Sequence, residues 1–304
     1  MNAAIIGVGS IGGLIDKPSS KNVASHAHAY KKNSDCTLVA ICEPNRDNQK
    51  EFTKRWGKIN IYKDSQELLK KENINVLSIA TPTKLHKKNL EEALHVDSIS
   101  HILCEKPLVE TKKELYELKN MLENSTKKIL INLIRRYDPS FINLASQIKR
   151  KKWGKILSFQ GVFTKSLLHN GIHMLSVLEH LLGFVNELKA LHTDKDFFIE
   201  CDDAKGIITC IKDIDYSIFE LDIICENAKI EITDGGTEIS IYEKVASSVY
   251  ENYFTLAHKE TLENTLNNYA SNSLSFLLKK DTSTCKEILK KHIRLHEIIF
   301  EAIK

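Results

Sequence analysis

Two histidines stand four residues apart in LLHNGIHML, residues 167–175. On a helix His169 and His173 share one face, with Asn170 and Gly171 between them. That spacing admits zinc ligation, acid–base work by paired imidazoles, or polar residues with no chemistry. Zinc proteases of this spacing carry glutamate directly after the first histidine, where Asn170 stands. No third ligand is evident apart from His180, so no metal is expected. A second candidate is GVGSIG, residues 7–12, which comes directly after an apolar run. Gly7 permits a tight turn, Gly9 lets backbone approach a pyrophosphate, and Gly12 lets helix and strand pack closely. Together with Ser10 and Ile11 this loop predicts a dinucleotide site; a purely structural glycine turn is the alternative. Glu43, at the end of the next apolar run, is placed to accept hydrogen bonds from an adenosine ribose. A carboxylate there repels a 2′-phosphate, which favours NAD over NADP, although Arg46 nearby would suit NADP. The gap from Gly12 to Glu43 is longer than usual because LIDKPSSKNVA, residues 14–24, reads as an insertion.

Further candidates sit at the ends of apolar runs. Lys106 in CEKPL (104–108) ends the fifth of them, where doubly wound folds bind ligands. Burial there would bring its amine towards neutrality; the alternative is a surface lysine paired with Glu105. The Lys106–Pro107 bond is a candidate for cis geometry. His86 lies one turn into the following helix, either reaching a nicotinamide or solvated. Arg135 and Arg136 come after the sixth run and suit a carboxylate or phosphate on a substrate; either can pair with Asp138 instead. His26 and His28 fall on the first crossover helix, and neither is expected to be catalytic.

These residues need elements to position them. At 304 residues two domains are expected. Strands at 2–7, 36–43, 59–64, 75–81, 100–106 and 128–134 alternate with amphipathic stretches. Their continuous Val/Ile/Leu content suits a parallel sheet covered on both faces. Residues 1–134 therefore read as an α/β, doubly wound dinucleotide-binding domain of the Rossmann kind. Capping boxes are expected at Asp64 with Glu67, Thr111 with Glu114, and Thr284 with Glu287. Asp138 and Pro139 start a further helix. Beyond it, strands at 156–163, 186–193, 204–211, 216–224, 227–233 and 237–243 predict a mainly antiparallel open sheet. The helix bearing the two histidines falls between the first two. A last helix runs from Thr284 to Ile303, with Ile288, His292, Leu295, Ile299 and Ala302 along one stripe. Residues 135–304 thus read as an α+β domain for substrate binding and oligomerisation.

Composition excludes other classes. A net charge of +3, spread among acids, argues against nucleic acid. The run Lys149–Lys152 reads as a solvated helix end. No apolar run approaches a membrane span, and the chain enters a strand at once, leaving no room for a signal peptide. Seven cysteines without a C-x-x-C pair suggest core thiols. A cytoplasmic protein is expected.

Taken in order, GVGSIG, CEP, ATPTKLH (80–86), CEKPL, RRYDP (135–139) and HNGIHMLSVLEHLLG (169–183) resemble the Gfo/Idh/MocA family of sugar oxidoreductases. The resemblance implies that Thr81 and Pro82 line the cofactor channel and that Glu105 and Lys106 meet the cofactor. It also implies that Lys106 contacts the reacting hydroxyl. His173 takes the family's histidine position on that hydroxyl, and Asn170 is a candidate substrate contact. The family's aspartate position is His169, and its further aspartate is Ser176. A carboxylate at residue 169 would raise the basicity of its neighbours, whereas a second imidazole lowers it. The implied reaction is NAD-dependent interconversion of a sugar-ring carbinol and ketone. The HNG-x-H variant and the insertion resemble sequences of surface-polysaccharide synthesis, which points to a sugar phosphate or nucleotide sugar. Such proteins assemble as homodimers or homotetramers through the second sheet. Two alternatives stay open: a non-redox reaction in which bound NAD oxidises, a β-group is eliminated and NAD is re-formed, and a cofactor-binding protein with lapsed chemistry. If Glu43 reads the ribose, fluorescence titration will show NADH binding more tightly than NADPH; the reverse order overturns that assignment.

Overall fold

The computed structural model describes residues 1–191 and 195–303. It falls into two compact units, one comprising Met1–Ile134 and Asn267–Glu297, the other Arg135–Leu266 and the chain end from Ile298.

The first unit alternates strand and helix: β1 (Asn2–Ile6), α1 (His26–Lys32), β2 (Thr37–Cys42), α2 (Arg46–Trp56), β3 (Asn60–Tyr62), α3 (Ser65–Lys71), β4 (Val76–Ile79), α4 (His86–Leu94), β5 (His101–Cys104), α5 (Lys112–Asn124) and β6 (Lys128–Ile131). The strands form one parallel sheet in the order β3-β2-β1-β4-β5-β6. The order reverses between β1 and β4, the switch point at which doubly wound folds bind their ligands. Ala3–Ile6 and Val76–Ile79 are buried throughout, as expected for strands covered on both faces. Helix starts obey their local chemistry. Thr111 and Glu114 form the reciprocal capping box. Asp64 caps α3 alone, accepting the Gln66 and Glu67 amides, while the Glu67 carboxylate turns to Lys71 at 2.7 Å. That departs from the expected box because the i,i+4 lysine offers a charged partner.

The second unit contains α6 (Pro139–Lys149), β7 (Ile156–Thr164), α7 (Ile172–Leu182), β8 (Val185–Ala190), β9 (Asp196–Cys201), β10 (Lys205–Ile211), β11 (Phe219–Cys225), β12 (Ala228–Thr233), β13 (Glu238–Ala246) and β14 (Phe254–Thr261). Its eight strands run in the order β14-β13-β12-β11-β7-β10-β9-β8. Among the described residues of this sheet only β7 and β10 pair in parallel. The sheet is therefore mainly antiparallel, as expected. Two strands, β9 and β14, were not foreseen. Along β14 nearly every residue is exposed, so no buried–exposed alternation marks it. Of the strand expected at 186–193, residues 192 and 193 lie outside the described ones.

The chain closes with α8 (Tyr269–Lys279) and α9 (Thr282–Ala302). Here the sequence reading needs correction in three respects. Helix α8 was not anticipated. Helix α9 begins before Thr284, at a cap made by Asp281, whose carboxylate takes the Thr284 amide and hydroxyl, each at 2.8 Å. The expected 135–304 domain also loses residues 267–297 to the first unit, where α8 packs on α1, β5 and β6. An apolar stripe shows that a helix buries one face; it does not name the surface that covers it. All seven cysteines are buried thiols. Among the described residues no helix is long and apolar enough to cross a membrane. Replacing Thr111 by Ala will remove the box and lower stability by about 1 kcal/mol, read as a reduced urea midpoint at unchanged slope.

Candidate active site

A cleft of about 740 Å³ opens at the C-terminal ends of the parallel strands. Its floor is the glycine turn. Gly7 has φ +88°, and a Cβ there would lie 2.8 Å from the Ala80 carbonyl on the neighbouring strand end. At Gly12 a Cβ would lie 2.1 Å from the Gly7 oxygen, so neither position accepts a side chain. Gly9 differs: a Cβ there meets nothing within 4 Å, and its backbone faces the cleft. The turn does not open directly into the helix expected. A wide, π-type turn over Ser10–Leu14 gives way to the insertion, and α1 starts only at His26, capped by Ser25.

Glu43 is buried at the edge of this cleft. One carboxylate oxygen accepts the Val8 amide at 3.0 Å and the other the Asn45 amide at 2.9 Å. Each oxygen keeps a second lone pair for a ribose hydroxyl. Thr81, Pro82, Glu105 and Lys106 line the same cleft, as do Ser10 and Ile11. The structure therefore brings together most of the expected cofactor set. It adds Asn45, Asn48, Lys63 and Lys88, which no motif singled out. The Lys106–Pro107 bond is cis.

His86 is corrected. Only 1% exposed, its ring lies with Nδ1 2.8 Å from the Pro107 carbonyl and Nε2 2.9 Å from that of Thr81. Both neighbours are carbonyls, so a neutral ring donates to one of them, and the side chain braces the cleft wall instead of lining the cleft. Glu105 has an unforeseen partner. His26 Nε2 lies 3.0 Å from its carboxylate, and Asn132 Nδ2 donates to the same oxygen at 2.6 Å. Burial raises the Glu105 carboxyl, but the bond and charge of His26, with Asn132 and Lys106, outweigh it and leave the group below its ordinary value. His28 is fully buried against Asp16 at 3.0 Å, outside the cleft.

In the second unit the two arginines are also corrected. Arg135 donates through Nε and Nη2 to the Gly235 carbonyl and lies 3.6 Å over the Phe219 ring. Burial brings its guanidinium down to about 9, still charged at neutral pH. Arg136 is buried and pairs with Glu179 of α7 at 3.5 Å. Asp138 caps α6, accepting the Ser140 amide at 2.9 Å, and takes the Thr265 hydroxyl at 2.9 Å. Both guanidiniums serve the unit's own packing and do not stand as anion anchors. The histidine pair is not the helical face expected either. Residues Leu167–Gly171 form a wide turn, and α7 starts at Ile172. His169 is exposed, with Nδ1 2.9 Å from the Ser166 hydroxyl, and borders a separate hollow of about 360 Å³ with Phe197 and Lys212. His173 is buried on α7, and Asn170 is half-buried between the two.

Comparison with known proteins accords with this geometry. Residues 1–133 match the Gfo/Idh/MocA family model, described as an oxidoreductase family with an NAD-binding Rossmann fold. The match falls on the residues that form the glycine turn and the parallel sheet. A D-glucoside 3-dehydrogenase of Escherichia coli K12 is 24% identical over 203 residues, 60% of this chain and 54% of that protein. An inositol 2-dehydrogenase of Corynebacterium glutamicum is 24% identical over 198 residues, again 60% of this chain and 54% of that one. The chain spans about half the length of these curated relatives. Among solved structures, an NAD-binding oxidoreductase from Klebsiella pneumoniae shares the fold with TM-score 0.76 and 16% identity, covering 99% of this chain and 96% of that one. A 3-ketoreductase from Actinomadura kijaniata in complex with NADP has TM-score 0.75 and 15% identity over 99% and 97% of the two chains.

The parallel-sheet unit fits a dinucleotide on its own residues. Within the turn, open space lies above Gly9, and the amides before Gly13 precede the first backbone bonds of the turn. The bonds of His26 and Asn132 to Glu105 and of His296 to Leu108 escape the sequence because the partners lie far apart in the chain. One signal was available: His292 sits in an apolar stripe, and a buried imidazole requires a partner. Arg136→Met should destabilise the protein by about 3 kcal/mol in urea unfolding by removing the buried cation that faces the Glu179 carboxylate. Adding Glu179→Leu should restore most of that loss.

Proposed function

We propose that this chain is an NAD-dependent oxidoreductase interconverting a ring carbinol and a ketone on a sugar or sugar derivative. The observation that carries the reading is the single cleft lined by the glycine turn, Glu43, Glu105 and Lys106. Relatives named for glucosides and inositol support a polyol ring as the substrate class. Hydride acceptance is the chemistry that bound NAD supplies. The protein's own task is the hydroxyl proton: as the carbinol C–H electron pair departs, the O–H proton passes to the Lys106 amine, and the ammonium returns it in reduction. Gly9 admits the pyrophosphate and Glu43 receives the ribose hydroxyls, which favours NAD. His173 keeps the hydroxyl contact that the family resemblance gives it. His169, exposed beside Ser166, is assigned no proton transfer.

With Arg135 and Arg136 committed inside their unit, no guanidinium of this pair favours a phosphorylated sugar. A nucleotide sugar of surface-polysaccharide synthesis rests on the resemblance alone. Self-association through the outer face of the second sheet belongs to the same proposal, supported by Leu157, Ile207 and Leu256, which are 57%, 43% and 46% exposed. A screen of glucosides, myo-inositol and nucleotide sugars with NAD, read by NADH absorbance, tests the activity; no turnover across the panel counts against it. Lys106→Ala is expected to leave NADH affinity within about twofold while turnover falls by at least ~10²-fold. Unchanged turnover removes the lysine from the mechanism.

A further inference from the structure

The four residues Glu105–Leu108 are gripped by histidines from three different helices. His26 of α1 holds the Glu105 carboxylate, and His86 of α4 faces the Pro107 carbonyl. The third comes from the far end of the sequence. His296 on α9 accepts the Leu108 amide at 2.9 Å through Nε2, while its Nδ1–H donates to the His292 carbonyl at 2.7 Å. The three rings are 2%, 1% and 0% exposed, so water replaces none of these bonds.

The geometry assigns the tautomer of His296. An amide only donates and a carbonyl only accepts, so the ring carries its proton on Nδ1 and a lone pair on Nε2. Burial draws this imidazole down to about 4, which keeps it a neutral acceptor near pH 7. Packing alone does not call for a polar ring here. Ile293, Leu295 and Ile299 fill the neighbouring turns of α9, and a fully buried imidazole costs more than an aliphatic side chain unless its bonds are made. The bond it makes is with Leu108, two residues beyond Lys106.

We infer that His296 is a positioning residue for Lys106, fixing from the C-terminal helix where the lysine enters the cofactor cleft. This rests on the reading that Lys106 works beside the nicotinamide. A displacement of about 1 Å at such a group is enough to cost ~10²-fold in rate, so a tether two residues away matters.

Lysine acetylation by acetic anhydride, mapped by mass spectrometry on the full chain with and without NADH, reads the position without any sugar. In the wild type NADH shields Lys106. In His296→Leu the Leu108 amide should exchange on the order of 10-fold faster or more. Shielding of Lys106 should drop several-fold while NADH affinity changes by less than about twofold. His296→Gln, whose side-chain oxygen can still accept from Leu108, should restore the shielding. If His296→Leu does not fold, His296→Asn, too short to reach Leu108, takes its place. Wild-type shielding in a variant whose Leu108 amide exchanges fast overturns the positioning role, as does a loss that the Gln variant fails to restore. Absence of NADH shielding in the wild type overturns instead the placement of Lys106 beside the cofactor, and this inference with it.

Discussion

Two pieces of backbone in the first unit come too close to admit a side chain between them. Gly12 lies so near the Gly7 oxygen that a Cβ would sit 2.1 Å from it, and Gly7 itself is pressed against the Ala80 carbonyl. This contact folds the chain back at the end of β1 and holds the ends of β1 and β4 together. The cleft exists because of it. Glu43 then ties the turn to the end of β2 through the Val8 amide, so the acid that faces a ribose also closes the loop that faces a pyrophosphate. Binding surface and backbone scaffold are the same atoms, which leaves little room for substitution at any of them.

The opposite wall of the cleft is built differently. Beyond the Glu105 amide, which still bonds the Ile79 carbonyl, the chain up to Leu108 has left β5, so its polar groups need partners from elsewhere. Buried imidazoles supply them, one from each of three helices. At His296 one ring serves as both donor and acceptor. Residues 282–297 of α9 group with the first unit, where His296 satisfies the loop that carries Lys106 and Glu297 meets Lys119 of α5.

Charges in the second unit are turned inward. Arg135 lies on Phe219 and on the turn at Gly235, while Arg136 meets Glu179. A guanidinium stacked on a ring and bonded to a carbonyl holds a β-turn in place as effectively as it would hold a ligand. Two adjacent arginines after a strand cannot be told apart as anchor or staple by type. The difference lies in whether a carbonyl and an aromatic ring come within reach, and those partners stand far downstream.

Local chemistry was legible wherever the partner was near in the chain. The alternation of strands and helices, the glycine turn, the box at Thr111 and the cap at Asp138 each depend on residues a few positions apart, and the structure has them. CEP and EKP likewise lie within the residues that match the family model. Tertiary structure alone decided the rest: that Glu105 belongs to His26, that His86 looks at carbonyls, that Leu108 is held by His296, and that α8 and residues 282–297 join the first unit. In nearly every case the deciding contact joins residues separated by tens to hundreds of positions. Sequence periodicity specifies which face of an element is buried, whereas the identity of what covers it is set only when the whole chain has packed.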